Sequence, residues 1–262
     1  MRDQLSNPEN GVSSDPMHSA QQNMRKVLPK RFYKEVSTGE RDGRFHVLLD
    51  GRAAKTPGQN PLALATGSAA DLIAAEFEAQ SEDIDPSTMP CYRLANTGID
   101  GVAVDMQAVL EDVLRFCGTD LLFYRADGPE GLVANQRTHW DPVIDWAEEL
   151  AGARFILAEG IIHAAQPRAA IAGMGVHLKT IDDPIELAAL HSMTTLTGSA
   201  LLAIAVWKGR ITAGDAWTAA HVDEDWNIAQ WGQDAEAADR RDKRWSEMSA
   251  AERLAKSLSR QA

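Results

Sequence analysis

The hydrophobic pattern changes period near Ser68, and that change limits the folds open to this chain. Before it, apolar residues alternate or run in short β-prone stretches; after it, they recur at helical spacing over long segments. A chain with both textures reads as α+β, a small N-terminal β-rich domain followed by a larger, mostly α-helical domain. The expected divisions are a disordered tail over 1–29, a β-rich domain over 30–67 and a helical domain over 68–262. The tail is polar, rich in Ser, Asn, Gln and Pro, and has no period.

In the β-rich part, "RFYKEV" alternates with period 2 and "STGERDG" reads as a turn cluster. "RFHVLLDGRAAKTP" places Asp50-Gly51 between two β-prone runs, a hairpin signal, and "NPLALAT" adds a short strand. The first helix is expected to open on a capping box, Ser68-x-x-Asp71. Pro90 marks a helix start and Gly118 a stop. A long amphipathic helix follows over 129–151, with Leu132, Val133, Gln136, Trp140, Val143 and Ile144 at helical spacing and Pro142 as a kink or break. Further helices are predicted over 167–180, 184–207 with a break near Thr197-Gly198, 213–231, 234–246 and 250–259. Thr212-x-x-Asp215 and Ser249-x-x-Glu252 are the caps expected for the third and last of these.

Composition removes several classes of function. A net charge of −12 argues against nucleic acid and anionic lipid as partners, because both need clustered Lys and Arg. The longest apolar run, "ALLAIAVW", is far too short to cross a bilayer, so no stable membrane insertion is expected. Two isolated cysteines, Cys91 and Cys117, give neither a disulfide framework nor a Cys-rich zinc site; they read as buried small apolar residues in a reducing compartment. The start lacks a secretory apolar core, and its acidic residues spoil it as a mitochondrial presequence, so the cytoplasm of a bacterium is the compartment expected. No phosphate-binding glycine loop, nucleophile elbow or HExxH motif is present, and no cofactor is implied.

The densest chemistry lies in "HVDEDWNIAQWG", residues 221–232. His221 and Asp225, four apart on a helix, offer at most two metal ligands, with no third nominated. On a helical wheel Trp217, Ala220, Ile228 and Trp231 share one apolar stripe, with Glu224 in its middle. Asp223 and Asp225 project to opposite sides of it. A carboxylate between two tryptophans has three physical resolutions: an internal Arg partner, a raised-pKa acid in a catalytic cleft, or a docking surface where Glu224 receives a basic group. The second would make the chain a small metabolic enzyme, with His191 or His221 as base to Glu224.

Six segments, "RFYKEV", "DGRAAKTP" with "PLALAT", "IDPSTMP", "TDLLFYR", "HSMTTLTGSALLAIAV" and "DEDWNIAQWG", come in the order and spacing of the F-type ATP synthase assembly chaperones, and over residues 31–246 the chain resembles that family. The resemblance implies a chaperone rather than an enzyme, with the same two-part fold. The partner it implies is the alpha subunit of the ATP synthase catalytic head, held until a beta subunit displaces it, without ATP hydrolysis. The family's acidic-aromatic segment matches Asp223, Glu224, Trp226, Trp231 and Gly232, and its functionally important glutamate falls on Glu224. The partner-binding residues expected are therefore Glu224, Asp223, Trp217, Ile228 and Trp231, and a monomer is favoured.

Overall fold

A computed structural model describes residues 28–160 and 164–258. The expected tail falls outside these residues, apart from 28 and 29.

Two aspartate-glycine turns organise the small sheet. Asp42-Gly43 and Asp50-Gly51 all carry positive φ, as type I′ hairpin turns require. They join β1 (Val36–Arg41) to β2 (Arg44–Leu49) and β2 to β3 (Arg52–Ala53). A short β4 (Ala63–Leu64) pairs with the start of β2. The Asp50-Gly51 hairpin is as expected, but "STGER" is strand where a turn was predicted, and only Asp42-Gly43 turns. Its polar sequence suits an edge strand, which carries no clean apolar alternation.

Helix α1 (Gly67–Glu78) lies on β1 and β2 and buries Ala69, Ala70, Ile73 and Phe77. Its cap is Thr66, whose hydroxyl accepts from Ala69 N–H, and not Ser68 as predicted. Helices α2 (Pro90–Asn96) and α3 (Met106–Gly118) follow, starting and stopping at Pro90 and Gly118. Short strands β5 (Tyr124–Arg125) and β6 (Ala158–Glu159) pair in parallel around α4 (Glu130–Ala151), which continues through Pro142 without a break.

After α5 (Arg168–Leu178), α6 (Pro184–Thr197) ends at Gly198 in the left-handed region and α7 (Ala200–Trp207) begins, so the predicted break is present. Every residue of α7 from Ala200 to Val206 is buried, which explains its unbroken apolar run as a central core helix. Asp120, fully buried, accepts from Leu122 and Leu201 N–H and so holds the start of α7. Burial pushes its carboxyl up to about 6. Cys91 and Cys117 are both buried and unpaired, and burial holds the Cys91 thiol up at about 12.

The last part departs from the predicted helices twice. One helix, α10 (Ala235–Leu258), replaces the two expected over 234–246 and 250–259. Ser249 sits inside it, and Glu252 instead accepts from Ala213 N–H, capping a different helix. The predicted helix over 213–231 is divided into α8 (Ala213–Ala220) and α9 (Val222–Trp231) at His221. The reason is local: His221 Nδ1 lies 2.7 Å from the Trp217 carbonyl, the acceptor that its own backbone N–H would use in a continuous helix. That N–H bonds Thr218 O instead. No helix among the described residues is long and apolar enough to cross a membrane.

Candidate functional site

The three consecutive carboxylates of α9 have different surroundings. Asp223 accepts from Gln136 Nε2 on α4 at 2.8 Å, and Gln136, itself buried, accepts from Ala126 N–H. Asp225 takes both guanidinium nitrogens of Arg241 on α10, one at 3.0 Å. The Trp226 ring lies over Gly131 on α4, so close that an added Cβ would meet it at 2.5 Å. These contacts fasten α9 between α4 and α10. Glu224, between the two aspartates, makes no hydrogen bond among the described residues. Among the described residues, the one basic side chain within 4.0 Å of it is His221, whose Nε2 is 3.8 Å away, and 47% of the Glu224 side chain is exposed.

Glu224 stands at a cleft of about 490 Å³ also lined by His221, Arg244, Tyr124 and the threonines 119, 195 and 197. Arg244 donates to Leu196 O at 2.7 Å, at the C-terminal end of α6. Burial is the main force lowering the His221 pKa, joined by Arg241 and Arg244; the Trp217 carbonyl and Glu224 oppose it. The ring is therefore neutral at pH 7. Its Nδ1–H faces the carbonyl and its bare Nε2 faces Glu224.

The break at His221 divides the predicted stripe. Trp217 is turned into the core, 5.6 Å from the Trp245 ring and 4.1 Å from that of His221. Glu224, Ile228 and Trp231, spaced four and then three residues apart, share one face of α9. Ile228 is half-buried and Trp231 is 87% exposed at the end of the helix. What the structure brings together is thus an acid-apolar ridge of Glu224, Ile228 and Trp231, with Asp223 beside it and Trp217 beneath.

The alternatives for this segment lose their geometry. Glu224 has no internal Arg within ion-pair distance among the described residues. His191 Nε2 is taken by Asp112 at 2.8 Å, and His221 stands too far from Glu224 for a hydrogen bond. Asp225 is committed to Arg241, so His221 and Asp225 do not form a metal pair. Sequence reasoning missed Gly131 and Arg241, which orient α9, and Arg244, which lines the cleft. Gln136 was legible as a polar residue on the apolar face of α4, a position that demands a buried partner.

The model for the ATP12 chaperone protein family matches residues 30–148. The Atu1473 protein of Agrobacterium tumefaciens, a chaperone candidate, is 52% identical, with 95% of this chain and 93% of that chain covered and a TM-score of 0.86. Atp12 of Paracoccus denitrificans is 38% identical, with 88% of this chain and 99% of that chain covered and a TM-score of 0.83. Together with the ordered motifs and the shared fold, these likenesses establish that the chain belongs to the ATP12 chaperone family, the ATP synthase assembly chaperones.

Proposed function

We propose that the protein holds the unassembled alpha subunit of F-type ATP synthase and masks its interface until the beta subunit displaces it, without ATP hydrolysis. A subunit made for a ring exposes apolar surface before its neighbours arrive, and such patches aggregate. A holder that is released by the true partner needs moderate affinity and a fast off-rate, not a chemical step. One observation carries the reading. Of three adjacent carboxylates, the outer two are engaged by Gln136 and Arg241, and Glu224 is left half-exposed on a ridge with Trp231.

In this reading Ile228 and Trp231 supply apolar contact and Glu224 receives an Arg or Lys of the client. Asp223 borders the contact, and Trp217 serves it from below by packing against His221. The test is light scattering of alpha subunit diluted from denaturant, alone, with this protein, and with its Glu224→Lys form. Charge reversal at a contact of this kind weakens binding about tenfold or more. Suppression by the wild type, and its loss in a Glu224→Lys protein with an unchanged circular dichroism spectrum, is the expected result. Equal suppression by both proteins would remove Glu224 from the interface, and none by either would overturn the reading.

A further inference from the structure

A second cavity, of about 700 Å³, shares no residue with the Glu224 cleft. It lies in the sheet region, with Leu49, Phe77, Ile84 and Tyr92 among its lining. The first three are buried, whereas Phe32, also on the lining, is 74% exposed. Ala54, on the same strand face as Leu49, lines it too, so a methyl group stands where a longer side chain would fill the hollow. This is the "DGRAAKTP" segment, which the function proposed above leaves unused.

Among the described residues the backbone there is open. Strand β3 ends the sheet order β1-β2-β3. Leu49 and Arg52 flank a two-residue turn and form the hydrogen-bonded pair of the ladder. The next pair, Leu48 and Ala53, is then the non-bonded kind, and the Ala53 N–H and C=O point out from the sheet edge.

The charges of the lining are Asp50, Arg52 and Lys55. The Asp50 carboxylate is occupied by the N–H groups of Lys34 and Glu35, at 3.0 and 2.9 Å. Arg52 and Lys55 are exposed and make no ion pair with any described residue. One carboxylate against two cations leaves the lining at +1 in a chain whose net charge is −12.

We propose that this groove binds an extended peptide segment, with apolar side chains in the hollow, backbone pairing at Ala53, and Asp or Glu side chains on Arg52 and Lys55. A cavity of this size buries a few side chains, and an open strand edge beside a pocket is the arrangement that takes an added strand. That the segment belongs to a chaperone client rests on the proposed function; its chemistry follows from the groove alone.

The probes are three fluorescein-labelled hexapeptide amides, Gly-Leu-Val-Leu-Asp-Glu, Gly-Leu-Val-Leu-Lys-Lys and Gly-Ser-Gly-Ser-Asp-Glu, titrated with the full chain by fluorescence polarisation. The first is expected to bind about tenfold or more tightly than either other. Arg52→Glu with Lys55→Glu should abolish that preference, and Ala54→Leu, which fills the hollow and keeps the charges, should weaken the first peptide about tenfold. Should Ala54→Leu fail to fold, the exposed charge reversal carries the test. Equal binding of all three peptides, no binding, or binding indifferent to the variants would overturn the groove. The light-scattering assay separates the two proposals: wild-type suppression without peptide preference sinks the groove alone, and loss of suppression sinks the chaperone reading alone.

Discussion

Replacing Gly131 by alanine tests how the candidate site is held. A Cβ at Gly131 would lie 2.5 Å from Cη2 and 2.9 Å from Cζ3 of Trp226. Carbon contacts are comfortable at ~3.5–4.0 Å, so the rigid ring must retreat by about 1 Å. It can swing toward solvent, or it can carry α9 away from α4. Two terms compete. Alanine is a better helix former than glycine by up to ~1 kcal/mol, but Gly131 is the second residue of α4, where that gain is at its smallest. Overpacking costs ~1–3 kcal/mol. The clash wins, with a net loss of about 1–2 kcal/mol. For a chain of this length that lowers Tm by ~2–8 °C.

The functional consequence separates the two relaxations. If α9 moves, the Asp223–Gln136 bond stretches and Glu224 shifts, so alpha-subunit holding falls while the circular dichroism spectrum stays native. Adding Trp226→Ala to Gly131→Ala removes the clash and should recover much of the thermal loss. Thermal melting and light scattering on the same samples decide the matter. A Gly131→Ala protein with equal or higher Tm and full holding activity would refute the claim that this contact sets the position of α9.

Three further outcomes follow from the geometry. The buried Asp120 has its carboxyl raised from 3.8 to about 6, so its protonated form is favoured in the folded state. Relative to Asp120→Asn, wild-type stability should therefore be greatest below pH ~4 and fall by about 3 kcal/mol as pH rises to ~6, checked by urea unfolding across that range; parallel profiles would exclude it. Asp225→Ala and Arg241→Ala should show a coupling of ~0.5–2 kcal/mol in a double-mutant cycle, and a coupling near zero would mean the pair does not fasten α9. Asp100 accepts from Thr56 Oγ1, Gly58 N–H and Asn60 Nδ2, so Asp100→Ala should speed hydrogen exchange at Gly58 with little change at Val113 in the core; unchanged exchange at Gly58 would show that the loop is held by other contacts.

Features set by neighbouring residues were readable in the sequence. The Asp50-Gly51 turn and the Thr212–Asp215 capping box are both present because their chemistry is complete within four residues. The same rule covered Asp42-Gly43, but the polar "STGER" beside it hid a strand whose pairing with β2 is decided across the sheet. Ser249-x-x-Glu252 satisfied the capping pattern and caps nothing at that place, since Glu252 was already bonded to Ala213 on another helix. Local patterns name a residue's chemistry; tertiary contacts choose the partner.

The same distinction explains the site. A helical wheel places Glu224 correctly relative to Ile228 and Trp231, because those three lie within one unbroken helix. It fails for Trp217, because a side-chain nitrogen of His221 takes the carbonyl that a continuous helix requires, and no periodicity records that exchange. Nor does the wheel show which of Asp223, Glu224 and Asp225 is left without an amide or guanidinium partner, since those partners lie 87 and 16 residues away. Elimination by geometry is therefore what singles out Glu224 as the proposed client contact. A charge swap, Asp225→Arg with Arg241→Asp, should preserve holding because it rebuilds the internal clamp. Glu224 has no Arg or Lys within ion-pair distance among the described residues, so the loss in Glu224→Lys should resist rescue by any second change within this chain. Rescue by reversing a charge at Arg244 would instead make Glu224 part of the scaffold.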